Sequence, residues 1–122
     1  MSTGIIVFAH GSRIEPANEA VRAVAAELAY AGSFEYVEPA FLELGQPDLE
    51  GAVQRLQAKG VTKVVVIPYF LTLGLHLERD LPRIVTEISR KFSGLEIVVT
   101  NPLDGHPGLV QVLLDRARGA LG

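Results

Sequence analysis

The chain has 122 residues, of which 48% are hydrophobic and 20% charged, as is typical of one globular domain; we expect that domain to span residues 1–122. Its net charge of −3 argues against nucleic acid as a main partner, and no apolar run approaches the roughly 18 residues of a membrane-spanning helix. The absence of cysteine excludes disulfides and thiolate metal sites. Because the N-terminus also lacks a signal-peptide pattern, we expect a cytoplasmic protein.

The first half of the chain predicts two strand–helix units. A strand over Gly4–Ala9 leads to a helix with Pro16 in its first turn. The second strand, Tyr36–Leu42, contains Pro39, which cannot donate a hydrogen bond to a neighbouring strand and therefore predicts an edge position, an irregular start or a later start of the strand. The helix of the second unit is predicted to begin at Pro47.

The second half predicts two further units. A strand over Lys63–Phe70 is followed by a long apolar loop and by a helix whose start is marked by Asp80 and Pro82. The last strand is Glu96–Asn101, and the last helix begins at Pro107. The apolar residues expected to be buried on this last helix are Leu109, Val110, Leu113, Leu114 and Ala117.

Alternation of strands and helices predicts an α/β fold with a four-stranded parallel sheet. Right-handed crossover connections place helices on both faces of such a sheet. Ligands of open α/β sheets bind in the crevice at the carboxyl ends of the strands. The residues that follow each strand are therefore the first candidates for a functional site.

Three potential ligands follow three of the predicted strands: His10, Glu43 and His76. Two imidazoles and a carboxylate suit a borderline divalent transition metal. Each residue alone has an ordinary explanation as a turn histidine, an exposed glutamate or a core histidine. Their coincidence at three strand ends favours one shared site, in which the imidazoles could also accept protons near neutral pH.

The flanking residues suggest a pocket for an acidic, partly apolar ligand. Ser12 and Arg13, in the loop after the first strand, could hold an anion or a carboxylate. The apolar segment around His76 is typical of a pocket wall. Arg79 and Arg83 are further candidates for binding acidic groups, although such charges often serve solubility alone.

Three blocks of the sequence resemble the small sirohydrochlorin chelatases, the class II metal chelatases of tetrapyrrole biosynthesis. They are AHGSR, AFLELGQPDLEGAVQRLQAKGV and VVVIPYFLTLGLHLERDLPRI, and the resemblance as a whole extends from Ile5 to about Ile88. The specific element is an HGS loop followed by an FL-x-x-G-x-H segment, which contains Gly74 and His76. The acidic residue of the family's second block corresponds to Glu43.

The resemblance implies a flavodoxin-like, chelatase-type half-unit that inserts cobalt, iron or nickel into sirohydrochlorin, in cobalamin, sirohaem or nickel-tetrapyrrole synthesis. The metal is then a substrate, and no tightly bound cofactor is expected. His10 and His76 would be metal ligands or proton acceptors, with Glu43 assisting. The substrate-binding residues would be Ser12, Arg13, Gly74 and Arg79. A chain with one half-unit is expected to form a homodimer.

Two other interpretations use the same residues. A histidine phosphatase also has a histidine and a glycine after its first strand, but it needs an arginine directly before the histidine, where this chain has Ala9. A non-catalytic carrier of metal or tetrapyrrole could use the same ligands as a chelatase. Multiple turnovers would distinguish the enzyme from the carrier.

Overall fold

The structure is a computed structural model that describes residues 2–122, within which four strands alternate with four helices. The strands are β1 (Ser2–Ala9), β2 (Val37–Phe41), β3 (Val61–Pro68) and β4 (Glu96–Val99). The helices are α1 (Glu15–Gly32), α2 (Leu49–Ala58), α3 (Gly74–Lys91) and α4 (Pro107–Leu121). None of these helices combines the length and the apolarity that crossing a membrane requires.

The four strands form one parallel sheet in the order β2-β1-β3-β4. Ile5 of β1 pairs with Val37 of β2 on one side and with Val65 of β3 on the other. Pro39 lies on β2, at an edge of the sheet, where its missing donor is tolerated. This strand order is that of flavodoxin-like folds, so the predicted fold class is confirmed.

Helices cover both faces of β1, one of the two inner strands of the sheet. Every residue of β1 from Gly4 to Ala9 is buried, as expected for a strand between two helical layers. On one face, Ile6 and Phe8 join the main core cluster together with side chains of α2 and α3. Because side chains alternate across a strand, the other apolar residues of β1 point to the opposite face, where α1 contacts β1 and β2.

Helix α2 forms where its capping and apolar signals agree. It begins at Leu49, two residues after Pro47, and the Asp48 side chain accepts a hydrogen bond from the Gly51 N–H at 2.8 Å. This bond satisfies one of the free N–H groups of the first turn. The residues of α2 that pack into the core are Leu49, Ala52, Val53 and Leu56.

Helix α3 begins earlier than the sequence signals at Pro82 indicate. It starts at Gly74 and continues through Pro82, although a proline inside a helix removes a backbone hydrogen bond. Buried residues on both sides of the proline, from Leu77 to Ile88, anchor the helix to the core and keep it continuous. His76 therefore lies in the first turn of a helix and not in a loop.

The predicted burial of α4 is wrong. The helix has a periodic apolar pattern, yet none of its residues is buried, and Val110 and Leu113 are 67% and 70% exposed. Periodicity identifies an apolar face but does not specify a surface that covers it. The segment before α4 is attached to the loop after β3, where the Leu103 N–H donates to the Phe70 carbonyl at 2.9 Å.

Candidate functional site

The carboxyl ends of β1, β2 and β3 meet at one edge of the sheet. The chain leaves β1 toward β2 on one side and later returns to β3 on the other, so the switch in strand order lies between β1 and β3. Ligands of flavodoxin-like folds bind at this position. His10 follows β1, Glu43 lies two residues after β2, and His76 lies eight residues after β3.

Backbone hydrogen bonds join the loops that carry His10 and Glu43. The Leu42 N–H donates to the Ala9 carbonyl at 2.8 Å, and the Glu43 N–H donates to the His10 carbonyl at 3.0 Å. Gly11 has a φ of +95°, and a Cβ at this position would lie 1.7 Å from the Glu43 carbonyl oxygen. Only glycine allows the two loops to approach this closely.

The side chains of His10 and Glu43 form a direct pair. Nε2 of His10 lies 3.2 Å from Oε1 of Glu43, and the two side chains are 60% and 58% exposed. An ionised carboxylate only accepts hydrogen bonds, so an imidazole that donates to Glu43 from Nε2 has Nδ1 as its acceptor atom when it carries one proton. At this exposure the pair contributes little to stability, but it orients the ring, as carboxylates do for metal-binding histidines.

Phe70 supports the His10 ring from the β3 side. The two ring centroids are 6.4 Å apart in an edge-to-face arrangement, and Phe70 in turn lies 6.0 Å from the ring of the buried Phe8. The backbone holds this contact, since the Tyr69 N–H donates to the Phe8 carbonyl at 2.7 Å. The imidazole is thus oriented by a carboxylate and by an aromatic ring attached to the core.

His10 and His76 line the same pocket, which has a volume of about 320 Å³. The remaining lining residues are mostly apolar: Leu42, Phe70, Leu73, Gly74, Leu75, Leu77, Asp80 and Ile84. Nη2 of Arg79 lies 3.4 Å from Nδ1 of His76. A guanidinium only donates, so in this arrangement Nδ1 is the acceptor atom of the His76 ring.

The structure does not bring the predicted ligands together as a preformed three-residue metal site. Among residues 2–122, no group of three or more histidine, aspartate or glutamate side chains is close enough to hold one metal ion. His10 and Glu43 are in contact, whereas His76 shares only the pocket with His10. The metal-ligand set therefore stays a prediction.

One of the predicted substrate-binding residues, Gly74, lines the pocket, and the side chains of Ser12 and Arg79 already have partners. The Ser12 hydroxyl accepts a hydrogen bond from the Ile14 N–H at 3.0 Å, so it organises the start of α1. Arg13 is exposed in the same loop. Gly74 lies in the pocket wall with a φ of +75°, and Arg79 lies 3.8 Å from Asp80 as well as close to His76.

Two residues of α1 that were not predicted from the sequence also hold the site, Asn18 and Arg22. Asn18 is buried and bonds to the loops after β1 and β2. The Arg22 guanidinium lies 5.3 Å from the centre of the Phe41 ring and donates to the Gln46 carbonyl at 3.2 Å. Its hydrogen bond to Glu15 is the main cause of a lowered pKa of that carboxyl and a raised pKa of Arg22 itself. Two polar residues spaced four apart on α1, and therefore on one face of the helix, would have been the signal.

The strand order and this crevice define a flavodoxin-like α/β protein with a histidine–carboxylate pair at its ligand-binding edge. The chain belongs to the CbiX family, whose model matches residues 4–120. The chain is also similar to a sirohydrochlorin cobaltochelatase from Methanopyrus kandleri, with 30% identity over 97% of this chain and 96% of that protein. The resemblance seen in the sequence is thereby confirmed.

Solved structures support the same assignment. A CbiX protein from Marinobacter aquaeolei VT8, assigned to cobalamin biosynthesis, superposes with a TM-score of 0.85 at 29% identity and matches over 98% of this chain and 97% of its own. The sirohydrochlorin chelatase SirB from Bacillus subtilis subspecies spizizenii, solved with cobalt, gives a TM-score of 0.85 at 25% identity. This chain covers only 51% of SirB, so it corresponds to about half of that protein.

Proposed function

We propose that this chain inserts a divalent metal ion into sirohydrochlorin, with Co²⁺ as the first candidate and Fe²⁺ and Ni²⁺ as the alternatives. The observation that carries the proposal is the His10–Glu43 pair, 3.2 Å apart, at an apolar pocket that His10 shares with His76. The metal and the tetrapyrrole are both substrates. Membership of the CbiX family and similarity to cobaltochelatases support this assignment.

The residues can supply the three requirements of metal insertion: exchange of water from the ion, removal of two pyrrole N–H protons, and release of the ion to the macrocycle. Nδ1 of His10 has a lone pair for the ion or for a proton, and His76 offers a second imidazole across the pocket. Glu43 neutralises charge and passes protons to solvent, to which it is exposed. Two or three protein ligands leave some coordination positions of the ion open. The ion can therefore be transferred to the macrocycle.

The basic residues around the pocket would hold the acidic rim of the tetrapyrrole. Arg13, three residues after His10, and Arg79, whose guanidinium lies beside His76, are both exposed, and a guanidinium can bind a carboxylate through two hydrogen bonds. Ser12 keeps a hydroxyl proton to donate, since its oxygen accepts from Ile14. Gly74 allows the macrocycle to approach the backbone of the pocket wall.

A spectrophotometric insertion assay with sirohydrochlorin and each of Co²⁺, Fe²⁺ and Ni²⁺ tests the proposal. We expect multiple turnovers for the wild type, and a loss of most of the rate above the non-enzymatic background for His10→Ala and for His76→Ala. Glu43→Gln should be slower than wild type but folded. Glu96→Gln, which changes an exposed glutamate at the beginning of β4, is the matched control and should keep the wild-type rate.

Two results would contradict the proposal. Near wild-type rates in both histidine variants would remove the proposed mechanism. Stoichiometric, tight binding of metal or tetrapyrrole without turnover would instead indicate a carrier. Hydrolysis of a generic phosphomonoester is not expected.

We also propose that the chain acts as a homodimer, with α4 in the interface. Leu113 and Val110 are exposed on α4, and Val98 on the edge strand β4 is 37% exposed, so a large apolar surface faces water in one copy. An isolated helix of about 15 residues is marginal in water without a packing partner. This chain covers 51% of SirB, which supports a second copy of this chain in the place of SirB's other half.

Light scattering coupled to size-exclusion chromatography tests the dimer. Leu113→Glu should shift the protein toward the monomer, because it places a charge in the apolar face. Ala26→Glu adds the same charge at an exposed position of α1 and should leave the mass unchanged. A monomeric wild type at micromolar concentration would contradict the proposal.

A single domain over residues 1–122 and a cytoplasmic location stay predictions.

A further inference from the structure

Asn18 is the one polar side chain that is buried among residues 2–122, with an exposed fraction of 1%. It lies in the first turns of α1, on the side of the helix that faces the loops after β1 and β2. Burial of an amide is unfavourable unless its donors and acceptor are all bonded. The partners of this amide therefore reveal what it does.

The Asn18 amide bonds to both loops at once. Its Oδ1 accepts from the Ser12 N–H at 2.9 Å, and its Nδ2 donates to the Ser12 carbonyl at 2.9 Å and to the Leu44 carbonyl at 3.0 Å. A longer contact of 3.4 Å joins Nδ2 to Oε2 of Glu15. One side chain thus connects a residue two positions after His10 with the neighbour of Glu43.

The backbone at Leu44, whose carbonyl Asn18 binds, has a conformation that needs support from its surroundings. Leu44 has a φ of +57°, in the left-handed region that ordinary side chains rarely adopt. Its carbonyl direction follows from this conformation, and the Asn18 Nδ2 group fixes it. The backbone bond from the Glu43 N–H to the His10 carbonyl lies in the same pair of loops.

We propose that Asn18 is a positioning residue for the metal-insertion reaction: it sets the position of Glu43 relative to His10 by joining their loops. This role rests on the proposed function. Asn18 lies below the loops and does not line the pocket that contains His10 and His76, so it acts through other residues. Only an amide supplies both the acceptor for Ser12 and the donors for Ser12 and Leu44.

A double-mutant cycle distinguishes this role from a purely structural one. Asn18→Ala should lower kcat for insertion at least tenfold in the wild-type background, but less than threefold when Glu43 is already Ala, because there is then no carboxylate to position. Val53→Ala, at a fully buried position of α2 in the main core cluster, is the control for lost stability. It should leave kcat per folded molecule unchanged.

Hydrogen exchange gives a second readout that does not depend on activity. The Glu43 amide, which is bonded to His10, should exchange at least tenfold faster in Asn18→Ala, whereas Val53→Ala should not accelerate it selectively. Asn18→Asp keeps an acceptor for Ser12 but loses both donors, and it should accelerate the same amide. It provides the test if Asn18→Ala does not fold.

The outcomes separate the two proposals. Suppose that the wild type is active, but that Asn18→Ala lowers kcat equally with and without the Glu43 carboxylate, or does not change the exchange rate of the Glu43 amide. Either result overturns the role of Asn18 and leaves the proposed function standing. A wild type that inserts none of the three metals overturns the proposed function and this role with it. A coupled loss of kcat together with faster exchange at Glu43 supports the positioning role.

Discussion

The substitution Gly11→Ala tests whether the close approach of the two loops is needed for function. A Cβ at residue 11 would lie 1.7 Å from the Glu43 carbonyl oxygen, and contacts below 3.0 Å are essentially never observed. The loop that carries Glu43 must therefore move by about 1.3 Å, the difference between 3.0 and 1.7 Å. Such a movement would lengthen the 3.0 Å bond from the Glu43 N–H to the His10 carbonyl and separate the side-chain pair.

The expected effect is large on activity and smaller on stability. A misplacement of about 1 Å can reduce a catalysed rate about 100-fold, so we expect a loss of this order in insertion rate. The positive φ of residue 11 adds backbone strain of roughly 1–2 kcal/mol for alanine. Since a domain of this size unfolds with about 5–15 kcal/mol, the variant should remain folded.

Gly60→Ala is the matched control. Gly60 has a φ of +88°, but a Cβ there meets nothing within 4 Å. The residue lies directly before β3, at the amino ends of the strands and away from the site. The two variants therefore share the backbone strain and differ in the clash. Insertion rates measured with Co²⁺, with circular dichroism as the check on folding, should separate them by about 100-fold. Equal rates in the two variants would refute the reasoning.

Two further predictions concern stability. Glu15→Gln should destabilise the protein at neutral pH but not in acid, because the Arg22 hydrogen bond lowers the pKa of Glu15. The Glu15 carboxylate therefore stabilises the folded protein above the ordinary carboxyl pKa, and this stabilisation is lost as the pH falls through the lowered pKa. Urea denaturation at pH 7 and pH 3 measures this, and an equal difference between wild type and variant at both pH values would contradict it. Leu56→Ala, at a fully buried core position of α2, should lower the free energy of unfolding by about 2–5 kcal/mol while the insertion rate per folded molecule stays unchanged. A change in the urea slope, or a fall in rate as large as that of a histidine variant, would show that the core and the site are not independent.

The fold could be predicted because its signals are local. A continuous apolar run with β-branched residues predicted β1, which the structure buries on both faces from Gly4 to Ala9, although the similar run of β4 is mostly exposed. Pro39 indicated an edge strand, because a missing donor is tolerated only there. The start of α3 was missed for the opposite reason: Pro82 breaks a local rule, and only packing of Leu77 and Ile88 on the distant strands keeps the helix continuous.

The candidate site divides in the same way. The sequence by itself determined which side chains follow the strand ends, and therefore that His10, Glu43 and His76 lie at one edge of the sheet. Tertiary structure alone decided that His10 contacts Glu43, that His76 faces the same pocket from a helix, and that Asn18 joins the loops. It also decided that the apolar face of α4 stays uncovered in one copy. Periodicity and composition report which groups a segment carries, whereas distances between segments follow from how the whole chain packs.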